Sequence, residues 1–113
     1  HADFAYGAIP CTRDMTEAEI EGEYELNTGK VIAECFESRS IDPEAVPAVL
    51  VRSHGPFTWG KSAAEAAKNS AVLEAVAKDA YLSERMNAPT ANIFLQKKHY
   101  FRKHGANAYY GQK

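Results

Sequence analysis

The chain has 113 residues, 45% hydrophobic and 25% charged, and a net charge of −2 at neutral pH. That length suits one small domain, and the composition is that of a folded protein, which excludes a globally disordered chain. The near-neutral charge gives no electrostatic reason to expect a nucleic-acid or membrane partner, and no apolar run approaches the roughly 20 residues of a membrane span.

Residues 1–12 read as an extended lead-in, with Phe4, Tyr6 and Ile9 as scattered apolar positions and Pro10 keeping its neighbour out of helix. Thr16-Glu17-Ala18-Glu19 is a capping box that starts a helical turn, and Gly22 interrupts it. A second helix is expected over about 23–38. Tyr24, Val31 and Cys35 share one face, with Ile32 and Phe36 beside them. Gly29 lies inside this helix at a cost of roughly 1 kcal/mol against alanine, so close packing of another backbone is expected there.

Asp42-Pro43 is a helix-start signal that supports only a turn before Pro47. Ala48-Val49-Leu50-Val51 reads as a buried strand that ends at Arg52-Ser53-His54-Gly55-Pro56, and Phe57-Thr58-Trp59 as its partner after a tight turn. Ser62-Ala63-Ala64-Glu65 caps the strongest helix, whose stripe of Ala66, Leu73, Val76 and Ala80 implies close helix packing until Asn87-Ala88-Pro89 breaks it. A last helix spans about 91–104 and ends at Gly105. Two or three strands are too few for a self-sufficient sheet, so the expectation is an α/β chain with an incomplete sheet.

Cys11 and Cys35 have neither Cys-x-x-Cys nor zinc-finger spacing and read as reduced, partly buried thiols of a cytoplasmic protein. The four histidines are His1, His54, His99 and His104, and no two have the spacing of a local metal pair. His54, at the end of a buried strand before a Gly-Pro turn, is either a hydrogen-bonded strand-end histidine or a metal ligand. His99 and Arg102 share a helix face within a basic cluster, which is either an anion site or a solvated face at a helix C-terminus. Asp3, beside Phe4 and Tyr6, is either an exposed terminal aspartate or an acid/base whose pKa the aromatic setting raises. Tyr109 and Tyr110 in the tail imply docking against something, with packing and proton transfer both open.

Taken together, several stretches resemble the C-terminal half of the L-ribulose-5-phosphate 4-epimerases, within the class II aldolase/adducin family. They are His1-Ala2-Asp3-Phe4, Ile9-Pro10-Cys11-Thr12-Arg13, Gly22-Glu23-Tyr24-Glu25 and Thr28-Gly29-Lys30-Val31-Ile32. Val49-Leu50-Val51-Arg52-Ser53-His54-Gly55-Pro56-Phe57 follows, and the chain closes with Lys98-His99-Tyr100-Phe101-Arg102-Lys103-His104-Gly105 and Ala108-Tyr109-Tyr110-Gly111-Gln112.

The resemblance implies that residues 1–113 form the C-terminal part of a single class II aldolase-like domain. Such a domain has α/β/α layers around a central, mainly antiparallel sheet, incomplete in this chain. It implies zinc-assisted retro-aldol and aldol chemistry that interconverts L-ribulose 5-phosphate and D-xylulose 5-phosphate in L-arabinose or related pentose catabolism. By position, His54 matches a zinc ligand, while Asp3 and Tyr110 match the acid/base groups that serve opposite faces of the substrate. His99 and Arg102 match last-helix positions near the substrate.

The family's assembly is a homotetramer in which the tyrosine reaches a neighbouring subunit's site. The other two zinc histidines of the family, a His-x-His pair, precede the segment seen here, so the isolated chain is expected to be inactive and to bind zinc poorly. Two alternatives are a class II sugar-phosphate aldolase and a non-catalytic, adducin-like interaction module.

Overall fold

The computed structural model describes residues 2–87, 89 and 91–111. His1 and Gln112, each part of a motif quoted above, lie outside the described residues. In chain order the elements are α1 (Glu17–Glu21), α2 (Tyr24–Ser38), β1 (Ala48–Val51), β2 (Gly55–Thr58), α3 (Ala63–Arg85) and α4 (Ile93–Lys103).

The capping box at the start of α1 forms in both directions. Thr16 Oγ1 accepts from the Glu19 N–H at 3.3 Å, and the Thr16 N–H donates to Glu19 Oε2 at 2.8 Å. At Gly22 the chain turns out of α1 (φ −84°, ψ −135°), in a conformation where a Cβ would sit 2.9 Å from the Ala18 carbonyl oxygen. The following helix, α2, buries Thr28, Val31, Cys35 and Phe36, whereas Tyr24 stays exposed although the sequence stripe includes it. Gly29 also departs from expectation. No atom lies within 4 Å of where its Cβ would be, so no other backbone packs on it among the described residues. It borders an apolar groove formed with Ile32, Phe36, Ile41, Pro43 and Trp59.

Strands β1 and β2 form an antiparallel hairpin in the register Ala48↔Thr58 to Val51↔Gly55. The lead-in segment flanks the other edge of β1. There Cys11 bridges Leu50 in parallel, the Thr12 N–H donates to the Leu50 carbonyl and the Leu50 N–H to the Pro10 carbonyl, both at 2.9 Å. The result is a mixed helix-and-sheet fold with a small, incomplete antiparallel sheet. Such a sheet is stable only when helices cover it.

The core lies where α2 meets β1. Ala5, Cys35, Phe36, Val46, Val49 and Val51 are buried together, with Phe4, Ile9, Ile32, Ile41 and Trp59 packed around them. Trp59 meets Phe36 edge-on at 5.4 Å and donates its indole N–H to the Pro43 carbonyl at 2.8 Å.

Ser62 caps α3 by accepting from the Glu65 N–H at 3.1 Å. Thr58 Oγ1 donates to the Ala66 carbonyl at 3.0 Å, and Asn69 Nδ2 donates to the Trp59 carbonyl at 2.7 Å, so the first turns lie on the hairpin. The expected alanine packing does not appear beyond them: Leu73 is buried, Ala66 and Val76 are half-buried and Ala80 is exposed. Geometry explains this. A 23-residue helix is about 35 Å long, whereas two strands span only about 10 Å, so the helix outruns the sheet. No helix among the described residues is long and apolar enough to cross a membrane.

The last helix, α4, is capped by Asn92 Oδ1, which accepts from the Phe94 N–H at 2.9 Å and the Leu95 N–H at 3.4 Å. It ends at His104, with Gly105 at φ +93° just beyond. Among the described residues α4 packs against no other helix or strand. Its anchor is the lead-in segment, where the Tyr6 ring lies 5.1 Å from Tyr100 and 5.3 Å from Phe101. Tyr6 is itself held by its N–H, which donates to the Ala45 carbonyl at 3.0 Å.

Candidate active site

The aromatic contact between Tyr6 and α4 carries Asp3 to the C-terminal half of that helix. Arg102 Nη2 donates to Asp3 Oδ2 at 3.1 Å, and His99 Nδ1 lies 3.9 Å from Asp3 Oδ1. His104 Nε2 meets the Asp3 carbonyl oxygen at 3.1 Å, and its ring stacks on Tyr100 at 4.4 Å. Helical periodicity puts His99 and Arg102 on one face, three residues apart, while His104 reaches Asp3 from just beyond the helix end.

Burial works against the ionisation of Asp3. The hydrogen bond and charge of Arg102, together with Lys103 and His99, outweigh it and hold the carboxyl below the ordinary aspartate range. This corrects the sequence expectation of a raised value. The aromatic neighbours are present, but the cations of α4 dominate the local field. At neutral pH Asp3 is therefore a carboxylate.

The pair with Arg102 is made at one point only. Asp3 Oδ1 and Arg102 Nε are both buried and have no hydrogen-bond partner among the described residues. An arginine and a carboxylate often close a two-point fork, and here the second point is left unmade.

The tail returns to the same place. The Tyr109 and Tyr110 N–H groups both donate to the Arg102 carbonyl at 2.8 Å, and the Arg102 guanidinium carbon lies 4.0 Å above the Tyr110 ring. The expected docking of the tail is thus realised on α4 of the same chain, and half of Tyr110 stays open to the outside. Asp3, His99, Arg102 and Tyr110, four of the five candidates from the sequence, form one cluster.

His54 stands apart. It occupies the exposed turn between β1 and β2, its ring stacked on Phe57 at 5.0 Å. Its N–H donates to the Val51 carbonyl at 3.0 Å, and the flanking Ser53 (φ +62°) and Gly55 (φ +140°) make the reversal, a conformation that suits glycine. Buried Thr12 steadies the turn by accepting from the Arg52 N–H at 3.2 Å. Among the described residues no hydrogen bond, ion pair or ring contact links His54 to Asp3, His99 or Arg102.

Sequence reasoning did not assign a role to His104 or identify Tyr6 as the anchor of α4. The i, i+4 spacing of Tyr100 and His104 is the signal that could have placed the histidine. Nothing local in the sequence marks Tyr6.

Residues 1–81 match the Class II Aldolase and Adducin N-terminal domain, and the chain belongs to that family. The matched stretch includes Asp3 and His54, while His99, Arg102 and Tyr110 follow it.

Catalytic zinc takes about three protein ligands and an open position. Among the described residues no three His, Cys, Asp or Glu side chains are grouped to hold a metal ion. The exposed imidazole of His54 fits one corner of such a site. The described donors of this chain do not complete it.

Proposed function

We propose that this chain supplies the proton-transfer half of an L-ribulose-5-phosphate 4-epimerase. In this reading the bond between the third and fourth carbons of the pentulose 5-phosphate breaks, the glycolaldehyde phosphate fragment rotates, and the bond re-forms on its other face. Each face needs a group that takes and returns the proton of the fourth-carbon hydroxyl. Asp3 serves one face as a carboxylate and Tyr110 the other as a phenol.

The observation that carries this reading is the contact of both groups with Arg102, 3.1 Å from Asp3 Oδ2 and 4.0 Å over the Tyr110 ring. Two proton-transfer groups joined by one guanidinium suit re-formation of the bond on either face, the step by which an epimerase differs from a class II sugar-phosphate aldolase. The separation of His54 from the cluster supports a homotetramer with sites at subunit interfaces. There, Asp3 and Tyr110 of one chain act beside the zinc that His54 of another helps to hold, the remaining ligands coming from outside this segment.

The test is product analysis on the complete zinc-loaded enzyme given L-ribulose 5-phosphate. Appearance of D-xylulose 5-phosphate without accumulation of free glycolaldehyde phosphate supports the reading. Stoichiometric release of the fragments makes it an aldolase, and no turnover of either kind refutes the enzyme.

A further inference from the structure

Arg102 makes three separate contacts with the two proposed proton-transfer groups. Its Nη2 donates to Asp3 Oδ2 at 3.1 Å, its guanidinium carbon lies 4.0 Å over the Tyr110 ring, and its carbonyl accepts the Tyr109 and Tyr110 N–H groups at 2.8 Å. The side chain is largely enclosed, with 23% of its surface exposed, so little of it is open to a substrate phosphate. From this geometry we propose that Arg102 is a positioning residue rather than a substrate-binding one: a single guanidinium sets Asp3 and Tyr110 relative to each other. The proposal rests on the epimerase reading above.

The one-point pairing gives the device its chemical sense. Oδ2 is tied to Arg102, so the carboxylate cannot turn freely and the guanidinium sets its orientation toward a substrate hydroxyl. The same guanidinium lies over the phenol ring, its carbon 4.0 Å from the centroid, a contact that an ammonium group cannot reproduce with the same geometry. Tyr110 is thus held through its main chain by the Arg102 carbonyl and through its ring by the Arg102 side chain. A small displacement at Arg102 moves both proton-transfer groups together, and misplacement of about 1 Å can cost roughly a hundredfold in rate.

The experiment compares Arg102→Gln and Arg102→Lys with the wild type in three readouts. In the complete enzyme, ¹³C-labelled at aspartate and tyrosine, NMR follows the Asp3 carboxyl titration and the stacking on the Tyr110 ring. In the complete zinc-loaded enzyme, kcat and KM for L-ribulose 5-phosphate are measured.

Arg102→Gln is expected to raise the Asp3 pKa, release the Tyr110 ring and lower kcat about a hundredfold with KM nearly unchanged. Arg102→Lys should restore the Asp3 titration in part but not the ring shifts. Because lysine keeps the charge, it also answers for any failure of the glutamine variant to fold.

A rise in KM with kcat intact would overturn the proposal and make Arg102 a substrate ligand. Unchanged Asp3 titration and Tyr110 shifts in both variants would overturn it as well. If the two NMR readouts respond as expected but the wild-type enzyme does not interconvert the pentuloses, the positioning geometry stands and the epimerase reading falls.

Discussion

Asp3 and Arg102 are 99 positions apart in the chain and meet at 3.1 Å between Oδ2 and Nη2. This pair, with the stacking of Tyr6 on Tyr100 and Phe101, ties the lead-in segment to the last helix. It also gathers four of the five residues that the sequence marks as candidates.

Asp3→Asn keeps the size of the side chain and removes the carboxylate. Its kcat should fall by about 10² to 10⁴, the usual span for losing a general base. Thermal stability should change little, because a partly exposed ion pair contributes little. Steady-state kinetics and a melting curve on the same sample check both.

The acid dependence of stability should centre on Arg13. Arg13 donates to both Glu19 and Glu34, and its hydrogen bonds, with one from the Thr16 N–H, hold the Glu19 carboxyl at about 2. A depressed carboxylate contributes stability above its ordinary pKa, and that contribution is lost as pH falls through the depressed value. The wild-type Tm should therefore fall between about pH 4.5 and 2 more steeply than that of Arg13→Ala. Arg13 is exposed and Glu19 half-buried, so raising the salt concentration should narrow the difference.

Much of the fold is legible in the sequence because it is written locally. Thr16, Ser62 and Gly22 mark helix ends through their own hydrogen-bonding and steric chemistry, and the apolar run Ala48–Val51 becomes β1 without adjustment. The site is legible only in part. His99 and Arg102 share a helix face that spacing reveals, but their meeting with Asp3 depends on Tyr6 finding Tyr100, a contact that no periodicity encodes. The direction of the Asp3 shift was misread for the same reason: the nearest residues in sequence are aromatic, whereas the nearest in space are cations. The alanine stripe of α3 predicts packing that the two-strand sheet is too narrow to supply.

Gly29→Ala should stabilise the chain. The added methyl meets nothing within 4 Å and replaces a glycine in the middle of a helix. A gain of roughly 1 kcal/mol is expected, seen as a rise in Tm of about 4 °C. A fall in Tm would mean that something closes over the groove beside Gly29 in solution.

Phe36→Ala removes a ring that is 6% exposed and packs edge-on against Trp59. Cavity formation at such a site costs about 3–5 kcal/mol, a large share of the stability of a domain this size. Denaturant unfolding should show the extrapolated unfolding free energy lowered by that amount, with Trp59 fluorescence reporting the loosened contact.

The most direct test is the rate at which the complete zinc-loaded enzyme interconverts L-ribulose 5-phosphate and D-xylulose 5-phosphate when Tyr110 is replaced by Phe. Loss of one hydroxyl should lower kcat about a hundredfold or more, with zinc content and Tm unchanged. A Tyr110→Phe enzyme that turns over at the wild-type rate would contradict the assignment of two proton-transfer groups to Asp3 and Tyr110.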